Sequence, residues 1–120
     1  MDENQHLNPR ELLKRQLLET RGHFCELKQG WPHSCSGGLE MHEAFYTRNH
    51  ARTAPMRRYI VDERNCVLLC SWAHAQLGRN KQARSWLIER QMERYGRSAM
   101  AEYLALAPMR LPFSLDELLV

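Results

Sequence analysis

Two short apolar runs, separated by an arginine-rich stretch, limit the fold of this chain more than any other feature. They lie around Leu39–Tyr46 and Cys66–Cys70, and both have the length of a β-strand. The second run contains Val67-Leu68-Leu69, which is typical of a strand buried in a core. The rest of the chain has the signals of helices and loops. The sequence therefore predicts a small α+β fold: a short β-hairpin and a helix, flanked by N- and C-terminal helices.

The first helix is predicted over residues 8–22. Asn8 can cap it, Pro9 suits the first helical position, and Glu11 lies at the third position of a capping box. The helix is expected to end near Gly22, where a loop rich in glycine and proline follows.

Helices are also predicted from the second strand to the C-terminus. A short helix follows the strand directly, and the clearest amphipathic pattern covers about residues 80–95. Ser98 is expected to cap another helix, and Ser114 with Glu117 forms a second capping box. We therefore expect the C-terminal helices to occupy residues 80–120.

Length and composition predict one domain over residues 1–120. The chain has 43% hydrophobic and 26% charged residues, which is ordinary for a globular protein of this size. No window approaches the ~18 apolar residues of a membrane span. The chain starts with acidic and polar residues, which is not the pattern of a secretory signal. We expect an intracellular, cytoplasmic protein with no membrane partner.

The basic residues are mostly arginine and are unevenly placed. From Thr47 to Arg58 the chain has no acidic residue and carries four arginines, Arg48, Arg52, Arg57 and Arg58. Such a run is either a solvated surface loop or a surface that binds nucleic acid. Arginine favours the second interpretation, because its planar guanidinium matches pairs of phosphate oxygens.

Three polar residues beside the two predicted strands indicate chemistry. His42 lies on the first strand, Asn65 opens the second, and His74 lies just inside the following helix. A strand–loop–strand–helix unit can bring them together. Hydrolysis of a phosphodiester needs a base that deprotonates water, a cation that holds the phosphate, and groups that fix the geometry. These three residues can supply such groups.

Two segments resemble the HNH endonuclease family, in particular its small phage-type members. They are Leu39-Glu40-Met41-His42-Glu43-Ala44-Phe45 and Asn65-Cys66-Val67-Leu68-Leu69-Cys70-Ser71-Trp72-Ala73-His74. The family's first strand reads Glu-x-His-His or a similar acid–His doublet. Its second strand reads Asn-Leu-x-x-Leu-Cys-x-x-Cys-His, with the same spacing from Asn to the last His.

The resemblance covers about residues 22–82 and implies a ββα-metal fold that cleaves DNA. It implies one divalent ion as cofactor, Mg, Mn, Ni or Zn. DNA is the implied partner, and cutting of both strands would need a homodimer or a phage DNA-processing partner. For a phage protein, the compartment would be the host cytoplasm.

The resemblance also implies roles for individual residues. In the aligned register His42 is a metal ligand and Glu43 the general base; in a register shifted by one residue, His42 is the base. His74 is a metal ligand, and Asn65 holds the loop that orients the first strand. Asn80 is either a further metal ligand or the N-cap of the following helix.

The cysteines of this region resemble the knuckle that many family members place before the first strand. Cys25, Cys35 and Cys70 would supply three ligands of a structural zinc ion, with Cys66 or His33 as a candidate fourth ligand. Ala73 replaces the usual fourth cysteine, and the spacing between the first two cysteines is loose. We therefore expect buried thiols in preference to a zinc site.

Two other functions fit the same sequence. A non-catalytic DNA-binding or assembly module could keep the fold without a working metal site. It is favoured by Ala73 and by Gly78, which stands where many family members have a further ligand. A nuclease that acts on RNA would keep the chemistry and change the substrate.

Overall fold

A computed structural model describes residues 7–115 and shows a small α+β fold, as predicted. This part of the chain contains five α-helices and one two-stranded antiparallel sheet. Single 3₁₀ turns lie at Glu26–Gln29, Arg48–His50 and Leu77–Arg79. Of the capping box expected at the C-terminus, Glu117 lies outside the described residues. The elements in chain order are α1 (Pro9–Arg21), β1 (Leu39–Glu43), α2 (Ala54–Ile60), β2 (Cys66–Cys70), α3 (Ser71–Gln76), α4 (Lys81–Tyr95) and α5 (Arg97–Ala105).

Asn8 is confirmed as the N-cap of the first helix, but Glu11 bonds back to the Asn8 side chain and not to its backbone N–H as in a capping box. The Asn8 Oδ1 atom accepts a hydrogen bond from the backbone N–H of Glu11 at 2.9 Å, and the Asn8 amide donates to Glu11 Oε1 at 2.9 Å. These bonds satisfy a donor that the first helical turn would otherwise leave unpaired. Helix α1 therefore begins where the sequence predicts it.

The sheet is the centre of the fold, and β2 is buried along its whole length. On one face, Met41 and Leu68 pack against Leu13 and Leu17 of α1. On the other face, Val67 and Leu69 pack in a cluster with residues of α3, α4 and the 3₁₀ turns at Glu26–Gln29 and Leu77–Arg79. A strand covered on both faces explains the unbroken apolar run in the sequence.

The register of the sheet separates the two residues of the predicted doublet. His42 is opposite Val67 and Glu43 is opposite Cys66. Directly opposite residues share a face of the sheet, and neighbouring residues of a strand point to opposite faces. His42 therefore lies on the face that α3 and α4 cover, and Glu43 on the face that α1 covers.

The segment from residue 22 to 38 is tied to β2 and α4 by a buried charge network. The Glu26 carboxylate accepts hydrogen bonds from the backbone N–H of Leu68 at 2.5 Å, from Arg21 at 3.1 Å and from Arg94 at 2.7 Å. Its side chain is almost fully buried, so the two guanidinium groups provide the partners that a buried charge requires. This network fixes the position of the neighbouring Cys25.

Two details differ from the predictions. The arginine-rich stretch contains a helix, α2, where the sequence predicted a loop; Thr53 caps it by accepting a hydrogen bond from the N–H of Met56 at 3.3 Å. Helix α5 begins at Arg97 after Gly96, so Ser98 is not its N-cap. Gly96 has φ 89°, a conformation that favours glycine.

No helix within residues 7–115 is long and apolar enough to cross a membrane.

Candidate functional site

Asn65 fixes the loop that follows β1, as predicted for an asparagine at this position. Its side chain is fully buried and makes four hydrogen bonds, each of 2.9 Å. The Oδ1 atom accepts from the N–H of Phe45 and Tyr46, and the amide donates to the carbonyls of Tyr46 and Ile60. Asn65 is therefore a positioning residue, which connects the end of β1, the end of α2 and the start of β2.

His42 of β1 and His74 of α3 lie side by side, on the face of the sheet that α3 covers. Their ring centroids are 5.0 Å apart, with the rings at 65°. Burial, and to a smaller extent the charge of His74, lowers the pKa of His42 to about 4. The His42 imidazole is therefore neutral at neutral pH, with a ring nitrogen whose lone pair can accept a hydrogen bond or bind a cation.

Glu40, to which the sequence assigned no role, orients His74. The His74 Nδ1 atom donates a hydrogen bond to Glu40 Oε1 at 2.7 Å, and the Ser71 hydroxyl donates to Glu40 Oε2 at 2.8 Å. These two bonds hold the pKa of the Glu40 carboxyl below its usual range, with the His74 bond as the larger cause. Because Nδ1 carries the proton in this bond, Nε2 is the ring nitrogen of His74 that has a lone pair when the imidazole is neutral.

Glu43 is held on the other face by α1. One carboxylate oxygen accepts a hydrogen bond from the guanidinium of Arg10, and the other accepts from the backbone N–H of Arg48 at 2.8 Å. The side chain is 9% exposed. Both oxygens thus have donors that belong to the fold. This arrangement suits a residue that anchors Arg10 and the loop better than a general base.

Asn80 is the N-cap of α4, the second of its two predicted roles. Its Oδ1 atom accepts a hydrogen bond from the N–H of Ala83 at 2.9 Å. His42, His74 and the neighbouring carboxylates also do not form a compact set of metal ligands. Among residues 7–115, three or more potential ligand atoms lie close together in one group, which consists of three cysteines and a histidine.

Three cysteines and one histidine form that cluster, which we name the cysteine cluster: Cys25, His33, Cys35 and Cys70. Their ligand atoms all lie within 4.8 Å of one another. Nε2 of His33 is 3.7 Å from the sulfur of Cys25, 3.5 Å from that of Cys35 and 3.4 Å from that of Cys70. One ring nitrogen has a single lone pair and cannot bond three thiols at once. The cluster could hold a metal ion, with His33 as the fourth ligand; the expectation of buried thiols fits Cys25 and Cys70 but not Cys35, which is exposed.

Two features prepare the cluster for a cation. The Nδ1 atom of His33 donates a hydrogen bond to the carbonyl of Trp31 at 2.7 Å, so Nε2 carries the lone pair that faces the sulfurs. Burial alone would raise the pKa of Cys70, but hydrogen bonds, the largest of them from the backbone N–H groups of Ala73 and Ser36, lower it to about 6. A lowered pKa favours the thiolate, the form that binds metals.

Cys66 lies outside this cluster. It packs with Leu13, Leu17 and Leu68 between α1 and the sheet, and its thiol donates a hydrogen bond to the carbonyl of Ile60 at 3.5 Å. Burial raises its pKa to about 12. Of the two candidate fourth ligands, His33 is the one that joins the other cysteines.

Four arginines line one cavity of about 720 Å³, which we name the arginine groove: Arg10, Arg48, Arg57 and Arg58. Three of them come from the stretch predicted to bind nucleic acid; Arg52 does not line the groove, and its carbonyl accepts a hydrogen bond from Arg57 at 3.2 Å. Arg48 and Arg58 have no acidic partner for their side chains among residues 7–115. Arg10 and Arg48 also line a cleft of about 260 Å³ that contains His42, Glu43 and His74, which we name the His42 cleft. The groove and the cleft are therefore adjacent.

Comparison of the chain with protein-family profiles, curated proteins and solved structures finds no match.

Proposed function

We propose that this chain is a metal-dependent endonuclease of the HNH type that hydrolyses DNA, with a ββα-metal core of β1, β2 and α3. The observation that carries the proposal is the His42–His74 pair beside a loop fixed by the four hydrogen bonds of Asn65. A buried asparagine that fixes the loop, next to two histidines with free ring nitrogens, is the arrangement that the resemblance implies.

In this proposal His74 is a metal ligand through Nε2, and Glu40 positions it. A divalent ion bound there would act as a Lewis acid on the scissile phosphate and on the departing oxygen. His42 accepts the proton of the attacking water, which is its role in the shifted register. Glu43 borders the same cleft, but both of its carboxylate oxygens already accept hydrogen bonds, from Arg10 and from the backbone N–H of Arg48, which supports His42 as the base.

The cysteine cluster fits a structural zinc ion. For a tetrahedral site with Zn–S near ~2.3 Å and Zn–N near ~2.05 Å, each N···S edge is about 3.5 Å. The three N···S distances from His33 are 3.4, 3.5 and 3.7 Å. The ligands come from the segment before β1 and from the end of β2, so zinc would hold these parts of the fold together.

The arginine groove supplies the contacts to DNA. Guanidinium groups bind phosphate oxygens in pairs, which gives affinity without sequence preference. Because Arg10 and Arg48 line both the groove and the His42 cleft, a strand bound in the groove would continue into the cleft. Arg52 would contact the backbone from outside the groove.

A second candidate is a DNA-binding or assembly module without activity. It is favoured by the incomplete set of ligands around His42 and His74. Such a protein would keep the cysteine cluster and the arginine groove, and it would bind DNA without cutting it.

Nicking of a supercoiled plasmid separates these functions. We expect relaxed plasmid only when a divalent cation is added, loss of nicking in His74→Ala, and full activity in the exposed His23→Ala control. Binding without nicking in Mg²⁺, Mn²⁺, Ni²⁺ or Zn²⁺ would establish the non-catalytic module. Parallel reactions with RNA show whether the substrate is DNA alone.

A further inference from the structure

A second cavity also borders His42, and the proposed mechanism gives it no role. It has a volume of about 320 Å³ and lies between β1, α4 and the segment that follows α5. We name it the inner cavity. The residues that matter for its chemistry are His42, Lys81, Arg84, Leu87, Ile88 and Phe113.

The inner cavity combines apolar walls with two cations. Leu87 and Ile88 of α4 form one wall, and the half-buried ring of Phe113 lies at another. Lys81 and Arg84 line the same space, and no carboxylate among residues 7–115 does. The volume is at the lower end of the range for small-molecule pockets, roughly 300 Å³ and above. A planar group attached to a phosphate matches this combination in size and in charge.

The two cations are available to such a ligand. Within the part of the chain that the structure describes, Lys81 has no ion-pair partner. Arg84 donates from Nη1 to the carbonyls of Leu77 at 3.2 Å and Gly78 at 2.7 Å. These bonds hold the guanidinium at the start of α4 and leave its charge without an acidic partner among residues 7–115.

His42 connects this cavity to the candidate catalytic site, because it lines both the inner cavity and the His42 cleft. A phosphate in the cleft and a group in the inner cavity would therefore both border the same imidazole. In a bound nucleic-acid strand, the nucleotide next to the phosphate in the cleft would lie near this cavity. Its base could enter the cavity only after leaving the base stack.

We propose that the inner cavity receives the nucleotide next to the scissile phosphate, with its base turned out of the stack and packed on Phe113. This rests on the proposed nuclease function. Lys81 and Arg84 bind the phosphate of that nucleotide. The preferred substrate is then DNA with an unpaired nucleotide, because a paired base must first be extracted from the duplex.

Two short DNA duplexes test this proposal, one fully paired and one with a single unpaired adenine at its centre. Their dissociation constants are measured by fluorescence anisotropy without divalent cation, so that neither is cut. We expect tighter binding of the duplex with the unpaired adenine. Phe113→Ala should weaken that binding roughly tenfold, the size of one base–aromatic stacking contact, and leave the paired duplex unchanged.

Matched variants separate a stacking role from a loss of folding. Phe113→Tyr keeps a ring and should retain the preference for the unpaired adenine. Phe24→Ala, which removes an exposed phenylalanine elsewhere, should change nothing. Lys81→Ala should weaken binding of the duplex with the unpaired adenine, and Lys28→Ala, at an exposed lysine elsewhere, is its control. Equal affinity of the wild-type protein for the two duplexes, or an equal loss for both in Phe113→Ala, would overturn the proposal.

The plasmid assay keeps this outcome distinct from that of the proposed function. Nicking without any preference for the unpaired adenine would leave the nuclease and remove the inner cavity as a nucleotide site. The preference without nicking would leave the nucleotide site and remove the nuclease.

Discussion

The cysteine cluster and the His42 cleft differ in how closely their potential ligand atoms are grouped and in how open they are. In the cysteine cluster, four ligand atoms converge within 4.8 Å and two of the three cysteines are buried. In the His42 cleft, two histidines lie beside an open space bordered by Arg10 and Arg48. Structural metal sites are closed by protein ligands, whereas catalytic sites keep positions open for water and substrate. In the proposed function, the cysteine cluster would maintain the fold and the His42 cleft would receive the substrate.

The two sites should therefore respond differently to substitution. Loss of a closed site removes interactions that hold distant segments together, so the free energy of unfolding should fall. Glu40 and His74 are about half and one-third exposed, and their replacement should cost little stability. Substitutions in the cysteine cluster should therefore change mainly stability, and substitutions in the His42 cleft mainly activity.

Removal of the metal from the cysteine cluster should have the largest effect. Structural zinc sites contribute on the order of 10 kcal/mol or more of binding free energy to folding. We expect about one zinc per chain in the purified protein, and a large decrease in Tm after chelation or in Cys25→Ser. Cys66→Ala removes a buried cysteine outside the cluster and should keep the zinc. Metal-free protein with an unchanged Tm would show that these are simply buried thiols.

His42→Ala should have the largest effect on cleavage. If His42 is the base, its loss should lower kcat by about 10²- to 10⁴-fold at saturating metal, the usual contribution of a general base. Glu43→Gln should instead lower the Tm, since it weakens the partly buried pair with Arg10. Should added metal restore His42→Ala while Glu43→Gln loses turnover, the aligned register is correct and Glu43 is the base.

Glu40→Gln should have an intermediate effect. It weakens the hydrogen bond that orients His74, and the loss of such a partner typically costs about 10- to 100-fold in metal affinity or activity. The metal concentration for half-maximal cleavage should rise, and high concentrations should restore part of the rate. The exposed Glu19→Gln is the control. An unchanged metal dependence in Glu40→Gln would mean that Glu40 does not position a ligand.

The arginine groove should give the smallest effect. The double variant Arg57→Ala, Arg58→Ala should weaken binding equally on unrelated DNA sequences and reduce the slope of log Kd against log salt by up to about two units. The control removes two exposed arginines elsewhere, Arg90 and Arg110. If both double variants have the same slope, Arg57 and Arg58 do not contact phosphates and are solvated surface residues.

The sequence predicted the elements better than the partners. Both strands and helices α1, α3 and α4 occur close to their predicted positions, because caps and apolar runs are local signals. Helix α2, which the sequence analysis did not predict, has a cap at Thr53 and a proline at position 55. The four arginines in and around it leave no apolar periodicity that would indicate a helix. Its start signal was present and was outweighed by the charge.

The site depended on contacts between residues far apart in sequence. Glu43 is paired with Arg10, 33 residues earlier, and no pattern in the sequence connects them. His33 was only one of two candidates, because the loop that folds it onto Cys70 has no regular spacing. Glu40 could have been found: it lies two residues before His42, and alternation along a strand puts both on one face.

Anomalous diffraction from crystals soaked in manganese tests the division between the two sites most directly. Data collected on both sides of the zinc edge distinguish zinc from manganese in the same crystal. We predict zinc among Cys25, His33, Cys35 and Cys70, and manganese in the His42 cleft beside Nε2 of His74. Manganese absent from the cleft, or found only in the cysteine cluster, would contradict the account of a closed structural site and an open catalytic one.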